Sequence, residues 1–293
     1  MTQNHQGWLA LYSKILLLSL NGLFAKAIPL DATTMSQLRS VIAVLGLLLF
    51  CWLQGVSWRL RDWRQALGVY GLGVFLGLHW ITYFHAMQVS TVAVGMLALF
   101  SYPVLTILLE PLFRSGRGKY RLRFGDVMAG LLVLVGLVVM VWDQLQLSQG
   151  SPIVAGCLWG VLSALLFAVR NLVLKHHYSD VPSGKMILHQ ILAVALMLAL
   201  FVDGGQVAQM NSDQWLLLLL LGLVTTAGAH TLLAVCLKRL PAKTVSIIGC
   251  SQPVLGAVLA WLLLGESVSG WVIAGGAIIL SVAIYESLQQ RVR

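Results

Sequence analysis

The chain has 293 residues, of which 59% are hydrophobic and only 10% charged, and its mean hydropathy is +0.87. A soluble domain carries roughly 25% charged residues, so this chain cannot coat a water-facing surface, and it is too apolar to stay solvated as a disordered segment. The formal net charge of +9 does not point to nucleic acid, because the basic residues are distributed as membrane topology requires.

A membrane-spanning helix needs about 20 apolar residues. In chain order the sequence offers ten such stretches, at 8–27, 35–54, 65–87, 91–113, 124–142, 152–175, 184–202, 214–237, 244–264 and 268–287. The connections are short and carry breakers such as Pro29, Asp203-Gly204-Gly205 and Pro241. The expected fold class is an all-α polytopic membrane protein with ten transmembrane helices and no aqueous domain. No cleavable leader is expected, since Met1 to Gly7 lacks a positive region and the first apolar stretch is long enough to span. Cys51, Cys157, Cys236 and Cys250 all lie in apolar stretches and read as small buried hydrophobes.

Charge alternates along this series. Arg59, Arg61 and Arg64 follow span two; Arg114, Arg117, Lys119, Arg121 and Arg123 follow span four; Lys175 and Lys185 follow span six. Lys238, Arg239 and Lys243 follow span eight, and Arg291 and Arg293 end the chain. The other connections hold Asp31, Asp143, Asp203, Asp213 and Glu266 and no Lys or Arg. The positive-inside bias therefore predicts that both termini are cytoplasmic. An error of one span would break the alternation.

The chain also matches itself. At an offset of 150, Ser101-Tyr102-Pro103-Val104-Leu105 meets Ser251-Gln252-Pro253-Val254-Leu255, and Asn21 meets Asn171. At 145, Gly125, Val127, Ala129 and Gly130 meet Gly270, Val272, Ala274 and Gly275. The sequence thus divides into a first five-helix repeat, 1–150, and a second, 151–293. Five is odd, so the second copy is expected to enter the membrane from the opposite side, an arrangement found in secondary transporters with a site near the midplane.

On these residues the sequence resembles the drug/metabolite transporter superfamily, in its EamA-type branch. The stretch from Ala86-Met87-Gln88-Val89-Ser90 through Pro103 to Phe113 is similar to the family's end of helix three plus helix four. Cys236-Leu237-Lys238-Arg239-Leu240-Pro241-Ala242 through Pro253 to Gly265-Glu266 resembles the same element in the second half. Ser115-Gly116 departs from the pattern, standing where Gly-Glu would be expected. The resemblance implies export of small metabolites, amino acids among them. It also implies a central cavity lined by helices one, three, four, six, eight and nine.

A charge at mid-bilayer costs roughly 2.5–3.5 kcal/mol on insertion scales, so each polar residue in a span asks for a reason. Lys14 is expected to snorkel to the cytoplasmic face. Lys26 and Arg39 would reach outer headgroups or Asp31, or form a basic vestibule for a carboxylate. Glu110 and Arg170 are expected to form an ion pair or a cytoplasmic gate. His79 and His230 lie in corresponding helices and are candidates for substrate binding or proton coupling. His79 shares a helix face with Tyr83, and Trp80 stands beside it. Pro103 and Pro253 fall near mid-span, where a proline frees a carbonyl four residues back; Tyr102 and Gln252 add polar groups at the same depth. Asn21 and Asn171 complete the expected substrate-binding set. Gly73/Gly77 and Gly156/Gly160 are spaced for close helix approach.

The expected function is secondary transport, by alternating access, of small organic metabolites such as amino acids. The expected location is a plasma membrane of the bacterial inner-membrane type, with lipid and a small-molecule substrate as partners, no cofactor or metal, no nucleic acid, and a monomeric chain. A membrane channel or an intramembrane enzyme is the alternative. Hydrolysis would want an embedded aspartate pair or a Ser–His site; the spans hold no aspartate pair and no metal-ligand cluster, and a Walker lysine motif is missing, so the chain is not expected to be an enzyme.

Overall fold

The computed structural model describes residues 2–21, 24, 27–55, 57–90, 95, 98–113, 124–140, 142–147, 151–264 and 269–291. Lys26, the basic loop 114–123 and Gly265-Glu266 lie outside the described residues. Helix α1 runs Thr2–Ser19, α2 Ala32–Leu53, α3 Trp63–Val89, α4 Tyr102–Phe113, α5 Phe124–Met140 and the short α6 Trp142–Leu147. Helix α7 runs Ser151–His177, and α8, Ser183–Leu198, ends in a 3-10 turn, Ala199–Phe201, before the short α9, Gly204–Ala208. Helix α10, Ser212–Leu220, continues through a π-helical segment, Leu221–Gly228, into α11, Ala229–Arg239. Helices α12, Ala242–Gly249, α13, Ser251–Leu264, and α14, Gly270–Arg291, complete the described chain. Every described element is helical.

Six segments are long and apolar enough to cross a membrane: Thr33–Leu53, Trp63–Ala86, Val154–His177, Ser183–Phe201, Ser212–Arg239 and Ala242–Leu263. They coincide with expected spans two, three, six, seven, eight and nine. The shorter apolar helices Tyr102–Phe113, Phe124–Met140 and Gly270–Glu286 stand in expected spans four, five and ten.

Helix starts obey local chemistry. The Asp31 carboxylate accepts from the backbone N–H groups of Thr33 and Thr34 and caps α2. Asp62 accepts from Gln65 N–H and caps α3; that bond and the one from Arg61 hold its carboxyl below the usual carboxylate range. Asn211 and Gln214 form a reciprocal capping box on α10.

The packing pairs the two halves reciprocally. Helix α3 packs on α7, and α11, at the matching place in the second half, packs on α1. Likewise α4 meets α7 as α13 meets α1, α2 meets the π segment as α8 meets α3, and α5 meets α14. Glycines permit the close approaches. A Cβ on Gly73 would lie 2.6 Å from both Ala193 Cβ and the Gln190 carbonyl oxygen of α8. Gly156 and Gly160 of α7 likewise lie against Ser90 and Ala98. Leu45, Leu49, Phe50, Leu158, Leu216 and Ile284 point outward, an apolar exterior that water would not tolerate but lipid does.

One end of the bundle is tied by cations. Lys185 Nζ donates to Arg59 O at 2.8 Å, Lys175 Nζ to the carbonyls of Leu237 and Leu240, and Lys238 Nζ to Val181 O. The opposite end is closed by neutral bonds. Asp31 N–H donates to Gln206 Oε1 at 2.8 Å, and Asp203 N–H to Thr34 Oγ1 at 2.9 Å.

Candidate functional site

The polar interior has two neighbouring parts. In the first, α3 presents His79 to α7. The Ser163 hydroxyl donates to the His79 carbonyl at 2.8 Å, and His79 Nδ1 lies 2.7 Å from Ser163 Oγ and 3.2 Å from Ser163 O. With the hydroxyl proton already committed, Nδ1 is the donor of the pair. The His79 ring stacks on Phe167 at 4.7 Å and on Tyr83 at 6.3 Å, and Tyr102 meets Phe167 edge-on at 5.1 Å. Tyr102 donates its hydroxyl to Ser246 O of α12 at 3.1 Å. Among Tyr102, Thr106, Phe167, Asn171, Leu233 and Ser246 lies a cavity of about 10 Å³, the space of about one water.

The second part lies between α2, α3 and α11. The Arg39 guanidinium lies 4.0 Å over the Trp80 ring, and Trp80 meets His230 edge-on at 5.5 Å. Arg170 on α7, with no exposed surface, donates through Nε to Gln190 Oε1 at 3.0 Å, through Nη2 to the same oxygen, and through Nη1 to Asn171 Oδ1 at 2.9 Å. Arg39 Nε, His230 Nδ1, Gln190 Nε2 and Asn21 Oδ1 are enclosed without hydrogen-bond partners.

Several expectations change. Arg170 does not pair with Glu110: its fork is filled by Gln190 and Asn171, while Glu110 lies 3.7 Å from His176 Nε2. Arg39 reaches neither headgroups nor Asp31, because the Asp31 carboxylate is used as a helix cap and the Arg39 stem turns inward onto Trp80. Lys14 does not snorkel. Helix α1 begins at Thr2, ahead of the apolar run, so Lys14 is three turns deep and 3% exposed. A Cβ on Gly249 would lie 3.2 Å from its Nζ and 2.6 Å from Tyr102 Oη. Pro103 and Pro253 are not kinks within continuous helices. Each sits in the first turn of a new helix, α4 or α13, where a missing N–H costs nothing. The break before each is bridged alike: Ser101 Oγ donates to Ala98 O at 2.6 Å and Ser251 Oγ to Ile248 O at 2.8 Å.

His79, Tyr83, Tyr102 and Asn171 are thus gathered around Phe167, and Trp80, His230 and Arg39 form the neighbouring cluster. Gln252, on α13, stands apart against α1, its Nε2 at 3.5 Å from Leu18 O and its carbonyl accepting from Ser19 Oγ at 3.0 Å. Sequence reasoning missed the buried place of Lys14, and it missed Gln190, Ser163 and Phe167 altogether. A glutamine amid an apolar helix was a legible signal; Phe167 had none. Among the described residues no group of His, Cys, Asp and Glu could hold a metal ion. His177 lies edge-on against Phe113. A wider apolar groove of about 530 Å³ between α1, α13 and α14 is lined by Ile15, Val254, Leu255 and Ile284 and holds no charged side chain.

A helical bundle with an apolar exterior and an enclosed polar interior defines an integral membrane protein. The EamA-like transporter family model matches residues 6–142 and 154–285, one match in each half. The chain belongs to that family. It is 24% identical over 246 residues to "Uncharacterized transporter YxxF" of Bacillus subtilis (strain 168), covering 83% of this chain and 77% of that protein. It is 26% identical over 277 residues to an "Uncharacterized transporter" of Archaeoglobus fulgidus, covering 94% of each. A solved crystal structure superposes with a TM-score of 0.81 over 98% of each chain at 21% identity, a likeness of fold.

Proposed function

We propose that the chain is a secondary transporter that exports small organic metabolites, amino acids among the classes to be tried, by alternating access. In this reading ten helices cross a plasma membrane of the bacterial inner-membrane type as two inverted five-helix repeats, with both termini cytoplasmic. The observation that carries it is the reciprocal packing of the halves around one enclosed polar interior. Two equivalent bundles that clasp a site can rock about it and expose it to either side in turn. The matched breaks before Pro103 and Pro253 give each bundle a place to bend. Export, rather than uptake, rests on the family resemblance.

The experiment is counterflow in proteoliposomes. Vesicles loaded with unlabelled solute should accumulate the labelled form transiently, and uptake should saturate. Flux that rises linearly with concentration and shows no counterflow would make the protein a channel.

A further inference from the structure

The cations of the interior lack an anion. Lys14, Arg39 and Arg170 are 3%, 7% and 0% exposed, yet among the described residues none of them is paired with a carboxylate. Glu110 is taken up beside His176, and Asp126 and Glu286 lie against Lys243. The three cations and His79 all lie within electrostatic reach of His230, whose Nδ1 is enclosed without a partner. Arg39 Nε and Gln190 Nε2 are also enclosed without partners. Uncompensated charge in a low-dielectric interior is costly, and evolution removes it easily by substitution with an apolar residue. Three such cations around one histidine need a function.

From this placement we infer that the interior binds an organic anion, one with net negative charge and no ammonium group, held by Lys14 and Arg39 in the field of Arg170. The inference rests on the transporter reading and adds the charge class of its cargo. Donors are in excess: the Arg39 guanidinium, the Lys14 ammonium and the free N–H of Gln190. Nothing receives a cation. Among the described residues no carboxylate lines the site, and the Trp80 face, the natural seat for an ammonium, is already covered by Arg39. A zwitterionic amino acid would therefore satisfy the cations at one end and leave its ammonium opposed at the other, a penalty that excludes it. Phe167, Tyr83 and Tyr102 supply an apolar wall for the rest of the molecule.

Thermal melting of the purified protein tests the charge class with compounds of matched shape. The panel is phenylacetate and succinate (anions), phenylalanine (zwitterion), phenethylamine (cation) and phenylacetamide (neutral), all at one ionic strength. At least one anion should raise the melting temperature saturably, and the other three should not. Without ligand, Lys14→Met and Arg39→Met should each melt higher than the parent by roughly 2–4 °C, because an unpaired charge has gone, and each should lose the anion-induced rise. Lys14→Gln serves if Lys14→Met does not express. The inference is overturned if phenylalanine or phenethylamine stabilises more than both anions, if no anion stabilises, or if the variants keep the full rise or melt lower. Counterflow of phenylalanine without counterflow of either anion likewise overturns the charge class and leaves the carrier standing. Flux without saturation or counterflow overturns the carrier itself, whatever binds.

Discussion

Through Lys243 three elements share a buried charge. From the start of α12 its Nζ lies 2.7 Å from Asp126 Oδ1 on α5 and 3.5 Å from Glu286 Oε1 on α14, and Thr244 donates to the same Glu286 oxygen at 2.7 Å. Removing one partner of a buried pair typically costs about 3–5 kcal/mol, because the other charge is stranded. Lys243→Met should therefore lower the melting temperature in detergent by several degrees. Lys185→Met, which loses only an exposed bond to a carbonyl, should shift it by a degree or two at most. Equal melting of the two variants would show that the carboxylates are hydrated. Lys243 illustrates what sequence cannot tell: it reads as one more cation in a basic loop, and only the approach of α5 and α14 buries it. Lys14 misleads in the same way, since hydropathy marks where apolar residues begin and not where a helix begins.

Helix positions were legible because a hydrophobic run is a length signal, independent of partners. Helix faces were not. In a water-soluble bundle the apolar stripe marks the core, but here both the core and the lipid side are apolar, and Leu158 and Leu172 look alike in sequence although one is outside and one inside. The π segment was also hidden. The hydroxyls of Thr225 and Thr226 both donate to Leu221 O, at 2.9 and 2.8 Å, which stabilises the widened turn. One extra residue rotates the rest of the helix by about 100°, so this segment sets the direction of His230. The small-residue spacing marks true close approaches and can be tested within one helix. Gly73→Ala drives a methyl into the Gln190 backbone and should separate α3 from α8, lowering the melting temperature. Gly71 has open space around its Cα, so Gly71→Ala should gain up to about 1 kcal/mol of helix propensity and melt slightly higher. If both alanines behave alike, the close approach of α3 and α8 is wrong.

Across the whole molecule the ends are chemically unequal: lysines bind carbonyls at one end, and neutral side chains accept at the other. The positive-inside bias predicts that the lysine end faces the cytoplasm. With the native cysteines replaced by alanine, a cysteine at Gln209 should react with an impermeant maleimide added to intact cells, and one at Arg64 should react only after permeabilisation. The reverse pattern would invert the orientation. The repeat that supports this topology was visible in the Ser-x-Pro pair and the glycine offsets. Its meaning in space was not, because a sequence match does not say whether two copies stand side by side or clasp one another.

They clasp, and that governs how the protein is made. A ribosome delivers α1 first, yet α11, on which α1 packs, and Gly249, against which Lys14 rests, emerge only after most of the chain has been synthesised. Until then Lys14 waits without the Gly249 surface it rests on. The two halves therefore complete their packing together, and the first half stays unfinished until its counterpart arrives.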